Sequence, residues 1–184
     1  MEVFLLFALY SFFGCVLEDA YFLLIHRRYV SKRTLLNLPL CPVYGVAAIV
    51  LIVVNGNTQN LIILFINGFL TVSAVELSFF LVSEKMYNIR WWDYSGYKLN
   101  FMGGICIFYS VIWGALNIIF AKALHPAVNR WISGFSNAEG LLWGLFVAVY
   151  IFADFKETHK ELIKHKNGEI NRIFEKFIYL KRNN

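Results

Sequence analysis

Five apolar stretches constrain this chain more than any other feature, at about residues 3–25, 38–54, 61–82, 104–121 and 138–155. A helix needs about 20 residues to cross the hydrocarbon of a bilayer, with a range of about 17–25. The first and third stretches meet that length easily, and the fourth and fifth are adequate. Water does not suit so much apolar surface: 59% of the 184 residues are hydrophobic and 18 are Phe. A soluble domain of this size has too little interior to hide them. The sequence therefore predicts an all-α fold, an integral membrane bundle of five transmembrane helices. Residues 1–155 form the membrane domain, and residues 156–184 form a basic tail.

The second stretch is short and reaches span length only if Pro39 and Pro42 are included. Proline lacks an N–H and disfavours helix in the residue before it. Either the prolines mark a helix start at the interface, or they interrupt a span, a pattern that in transporters points to a binding site. Irregular backbone at membrane depth needs protein or water to satisfy it.

Orientation follows from the basic residues. Of the 17 Lys and Arg residues, 15 fall in the first loop (Arg27, Arg28, Lys32, Arg33), the third loop (Lys85, Arg90, Lys98) and the tail. Only Lys122 and Arg130 fall on the other side, in a loop over residues 122–137 expected to lie in the interface with Trp131. This split predicts the N-terminus outside and the C-terminus in the cytoplasm. Met1 and Glu2 supply no basic leader, so the first block is expected to be retained as a span. In the tail, Ile170, Ile173, Phe174, Phe177 and Ile178 recur at helical spacing among basic residues. That pattern fits an amphipathic helix, on the inner leaflet or on a cytoplasmic partner. The net charge of +5 needs no nucleic acid to explain it, since no nucleic-acid-binding motif surrounds the basic residues. Anionic lipid is the simpler partner. Cys15, Cys41 and Cys106 form neither a CxxC pair nor a metal-spaced cluster.

Acidic groups within a span are costly, about 2.5–3.5 kcal/mol each at the centre of a helix. Glu18 shares a face with Ser11, Gly14 and Cys15, and Glu76 shares one with Ser73, Phe80 and Ser83. The fourth stretch lines up Gly103, Cys106, Ser110, Trp113, Gly114 and Asn117. Facing these stripes inward gathers Glu18 and Glu76 in one polar interior. That interior serves either as a substrate or proton site, or as glue between helices with the acids neutral or paired.

Three blocks then stand out: Tyr10-Ser11-Phe12-Phe13-Gly14-Cys15-Val16-Leu17-Glu18; Leu36-Asn37-Leu38-Pro39-Leu40-Cys41-Pro42-Val43-Tyr44-Gly45; and Trp91-Trp92-Asp93-Tyr94-Ser95 with Asn100 and Gly103. Ser110 with Trp113-Gly114 is a further echo. Over about residues 4–120 this order resembles the CmpB-like family of small bacterial membrane proteins, the ABC-transporter type IV permeases. The chain departs from the family pattern at Cys15, where Trp is usual, and at Arg33-Thr34, where Arg-Gly is usual. It also has Gly104 where the family has Arg, a role left absent or taken by Arg90. The resemblance implies a permease or transport component of the cell membrane. The second and third blocks both approach the cytoplasmic end of the bundle, which suggests a cleft there. The expected substrate-binding residues are Ser11, Glu18, Asn37, Tyr44, Glu76, Trp92, Asp93, Tyr94, Ser95 and Asn100.

The sequence has no GxxxxGK[ST] loop, so nucleotide would have to be handled by a separate ATPase subunit. Five spans are few for a pathway, which points to a homo-oligomer or a larger complex. With no nucleophile motif and no metal cluster, the sequence assigns no enzymatic chemistry and no cofactor. The alternative is a non-catalytic accessory protein that binds lipid or a partner through the aromatic cleft. A lipid-modifying enzyme using Glu18 or Glu76 is the third option.

Overall fold

A computed structural model describes residues 2–26 and 39–167. The first basic loop, Asn37 and the amphipathic segment at 170–178 lie outside the described residues. The described chain runs α1 (Glu2–His26), α2 (Pro42–Asn55), α3 (Leu61–Tyr87), a short antiparallel hairpin of β1 (Asn100–Phe101) and β2 (Ile105–Cys106), α4 (Ile107–Ile119), a π-helical turn (Phe120–Leu124), α5 (His125–Ile132) and α6 (Asn137–Lys166). Among the described residues, four helical segments are long and apolar enough to cross a membrane: Val3–Tyr21, Leu61–Tyr87, Ile107–Ile132 and Ala138–Lys164. Together with the shorter apolar α2 they make a helical multi-pass membrane protein.

Two boundaries differ from the sequence reading. The region over residues 122–137 is helical as far as Ile132, where an interfacial loop was expected. Pro126 can offer no N–H to the carbonyl four residues earlier, and its ring crowds that carbonyl. The chain absorbs this by widening to a π-turn just before it, where the His125 N–H reaches the Phe120 carbonyl. The fourth rod thus continues across the proline. At its other end it starts at Ile107, because Ile105 and Cys106 pair with Phe101 and Asn100 in the hairpin.

The second difference is in α2, which begins at Pro42 rather than at about residue 38, so the prolines mark a helix start. The N–H of Cys41 donates to the carbonyl of Ser11 at 3.0 Å. Ser11 lies near the middle of the apolar segment Val3–Tyr21. With 14 residues α2 is about 21 Å long, short of the roughly 30 Å of hydrocarbon.

Small residues let the rods approach closely, as expected where lipid gives no hydrophobic drive to associate. A Cβ on Gly14 would lie 2.2 Å from the Tyr44 ring, and one on Gly45 would lie 2.2 Å from Ser11 Oγ. These contacts seat α2 on α1. Gly68 and Gly114 do the same between α3 and α4, where a Cβ on Gly68 would lie 2.4 Å from Asn117 Cβ. Above this contact, Asn55, Asn67 and Asn117 tie α2, α3 and α4 together through side-chain amides. Lys122 donates to the Gln59 side chain and, at 3.1 Å, to the Gln59 carbonyl, so the π-turn and the α2–α3 connection share one end of the bundle.

α6 is the loosest member. Its apolar part faces outward with Trp143, Phe146 and Phe152 exposed, and Gly140 meets open space. Its polar end is anchored instead: Leu162 packs with Tyr87 and Ile89, and the Tyr87 hydroxyl lies 2.8 Å from His159 Nδ1. The helix passes unbroken through residue 155 to Lys166.

Candidate functional site

The site is built on the unusual start of α2. A helix N-terminus leaves N–H groups without intrahelical partners and carries partial positive charge. Cys41 caps α2 without a side-chain hydrogen bond to its backbone. Its thiol donates instead to Glu18 Oε2 at 3.2 Å, which sets a carboxylate of α1 beside that terminus. One turn on, Tyr44 packs on Gly14 and meets Trp113 of α4 edge-to-face at 5.8 Å. Glu18, Cys41, Glu76 and Tyr94 are near enough to act on its hydroxyl electrostatically.

Glu76 approaches from α3. It lies about 23 Å along the helix from Leu61. It is 5% exposed, and its carboxyl faces Trp113 and Tyr94, with Glu18 the neighbouring acid. Among the described residues no Lys or Arg pairs with it. Neither Glu76 Oε2 nor Trp113 Nε1 makes a hydrogen bond of good geometry, and buried Ser11 Oγ has no partner either. Next to them Ser73 donates to Ser110 Oγ at 2.7 Å, joining α3 to α4. Buried polar atoms are normally hydrogen-bonded, so several open ones in a single neighbourhood are a signature of function or of a small polar occupant.

The connection between α3 and α4 closes the lower end of this interior. Its polar residues largely hold one another. Asp93 Oδ1 accepts from Ser95 N at 2.9 Å and from Ser95 Oγ at 2.5 Å. Asn100 donates to the Tyr97 carbonyl at 2.7 Å and accepts from Gly103 N at 3.1 Å. The Trp92 indole donates to the Gly104 carbonyl at 2.8 Å. Gly103 is required here, with φ +74° and a Cβ that would lie 2.7 Å from Asp93 Oδ1. A Cβ on Gly104 would lie 2.8 Å from the Phe80 ring, so a larger residue there displaces Phe80. Arg90 lies over that same ring at 5.3 Å and pairs with Glu84.

Of the residues singled out from sequence, Ser11, Glu18, Tyr44, Glu76 and Tyr94 converge on the interior. Trp92, Asp93, Ser95 and Asn100 build the loop beneath it, and Asn37 lies outside the described residues. Burial, and after it the neighbouring Glu76 carboxylate, hold the Tyr94 phenol well above its ordinary value. Tyr94 stacks on Tyr109 at 4.7 Å, and the Tyr109 hydroxyl lies 3.2 Å from those of both Tyr21 and Tyr97. Trp113 faces inward as its stripe on the fourth stretch predicted, but this tyrosine rim and the Cys41 contact to Glu18 were not anticipated. Each joins residues from separate helices, and only the run of aromatics through residues 91–97 hinted at a rim. Among the described residues no group of three His, Cys, Asp or Glu side chains is placed to hold a metal ion.

The arrangement is thus a pair of carboxyls, one of them buried, ringed by phenols, an indole and hydroxyls beside the N-terminus of α2. No curated protein and no solved structure matches the chain. The sequence profile of one family covers residues 5–159, most of the helical bundle including the three blocks that build the interior, and the chain belongs to that family, described as Putative ABC-transporter type IV.

Proposed function

We propose that this chain is the membrane-embedded part of a transport assembly in the cell membrane, powered by a separate ATPase, and that Glu18, Tyr44 and Glu76 line the part of it that the transported molecule meets. The observation that carries this reading is the start of α2 beside the middle of α1, with Glu18 at that terminus and the buried Glu76 carboxyl nearby, its Oε2 without a hydrogen bond of good geometry. In many transporters the binding site is formed where a helix is broken near the bilayer midplane. Intramembrane acids are expensive to keep, and by default they mark substrate or ion pathways. With the N-terminus outside, the tyrosine rim and the loop at residues 88–106 face the cytoplasm, where an ATPase would dock. Five helices enclose little volume, so the working unit is an oligomer or a larger complex.

A second reading, an accessory subunit that does not itself pass substrate, is favoured by the loop, because Asp93, Ser95 and Asn100 spend their polar groups within it. Purification of the full-length chain from its native membrane in a mild detergent separates the two. The transport reading predicts an ATP-hydrolysing partner in stoichiometric amount. Recovery of a complex that contains no ATPase contradicts it and supports the accessory reading.

A further inference from the structure

The hairpin between α3 and α4 carries a feature that the interior does not use. Leu99 and Met102 both have φ of +56°, in the left-handed region that non-glycine residues rarely occupy. Both are also exposed apolar side chains, Leu99 at 73% and Met102 at 56%, and Phe101 between them is 57% exposed. The tip is rigidly held all the same. Asn100 pairs with Cys106 and Phe101 with Ile105 across the ladder. The Ile107 N–H donates to the Leu99 carbonyl at 3.2 Å and the Gly104 N–H to the Phe101 carbonyl at 3.0 Å. Such a structure pays strain to present three apolar side chains outward, where water would oppose them.

We propose that this tip is a membrane-inserting wedge: Leu99, Phe101 and Met102 seat at the headgroup–acyl boundary of the leaflet on their side of the bilayer. Continuity with the lipid-facing surface identifies the occupant. Exposed Ile107, Phe108 and Val111 carry the apolar patch from the tip onto the outer face of α4. No charged residue interrupts the chain from Leu99 to Ala121. Lys98 and Tyr97, which precede the tip, are the residue types that favour the headgroup level and anionic lipid. A docking surface for a soluble protein would be rimmed by polar residues on all sides. This one opens directly onto the bilayer. The wedge fixes the depth of the loop that closes the polar interior. The inference requires that α3 and α4 cross the membrane, and it is independent of whether the protein transports anything.

The test is a nitroxide label on Met102→Cys in phosphatidylcholine–phosphatidylglycerol vesicles, compared with one on Gly96→Cys. Gly96 is exposed with open space around it, so its label reports water. The native Cys15, Cys41 and Cys106 are buried, and the unsubstituted chain gives the background. The wedge predicts an accessibility ratio, oxygen over a water-soluble nickel chelate, several-fold higher at 102 than at 96, because apolar oxygen enters the acyl region and the charged or polar chelate is excluded from it. Equal ratios at the two positions overturn it. So does protection at 102 that appears only after a cytoplasmic protein fraction is added. Should Met102→Cys fail to fold, Leu99→Cys reads the same depth.

Discussion

Replacing Asn117 with Ala tests how the upper half of the bundle is held. Asn117 is 2% exposed and makes three hydrogen bonds, to Leu64 O at 2.6 Å and two with Asn55, at 3.0 and 3.2 Å. Hydrogen bonds between membrane helices contribute about 0.6 kcal/mol each on average. Three give about 2 kcal/mol, and the lost carboxamide volume raises the expected cost to about 2–3 kcal/mol. Asn55→Ala removes the same two Asn55–Asn117 bonds and also the 3.1 Å bond from Asn67. The double variant therefore loses less than the sum of the singles, by about 1 kcal/mol. Reversible unfolding by SDS in mixed micelles measures all three variants. Additivity within about 0.5 kcal/mol, or an Asn117→Ala no weaker than a lipid-facing control, refutes the network.

The same assay checks the close approach of α1 and α2. Gly45→Ala puts a Cβ 2.7 Å from the Phe7 carbonyl, backbone that cannot step aside, and is expected to cost about 1–3 kcal/mol, whereas Gly96→Ala, with nothing near it, changes stability by less than about 0.5 kcal/mol. Tyr87→Phe removes the bond to His159 and loosens the anchored end of α6, at a cost of about 1 kcal/mol; limited proteolysis near residue 160 should quicken. Tyr94 has a raised folded-state value, so its stabilising contribution is present below the ordinary tyrosine value of 10.0 and is lost as pH rises past it. Tyr94→Phe should accordingly flatten the fall in stability above that pH, as read by SDS titrations at stepped pH.

Much of the architecture was legible because lipid imposes a simple rule on composition. Stretches long and apolar enough to cross announced α1, α3 and α6, and the costly acids announced themselves within them. The face carrying Ser11, Gly14 and Glu18 could be read from helical periodicity, and it is the face that meets α2. What could not be read was depth and adjacency. The fourth stretch was expected to end at about residue 121, because nothing in a local pattern says that a π-turn will absorb Pro126. Pro42 did mark a helix start, but only the contact of Cys41 with Ser11 sets that start beside the middle of α1. Asn55, Asn67 and Asn117 are each unremarkable near a span end or on a stripe. Their meaning comes from meeting one another across three helices. The same holds for Tyr21, Tyr97 and Tyr109, which are far apart in the chain and share one hydroxyl cluster.

The enclosed carboxyl of α3 is the group on which the proposed transport role depends most. ATP hydrolysis by the assembly purified from native membranes, with Glu76→Gln set against the unsubstituted chain, tests it most directly. The substitution keeps the shape and removes the ionisable group, so the complex should form in the same yield while its substrate-linked hydrolysis falls to the uncoupled level. Full linked turnover with Gln at that position would mean that the group merely fills space between helices.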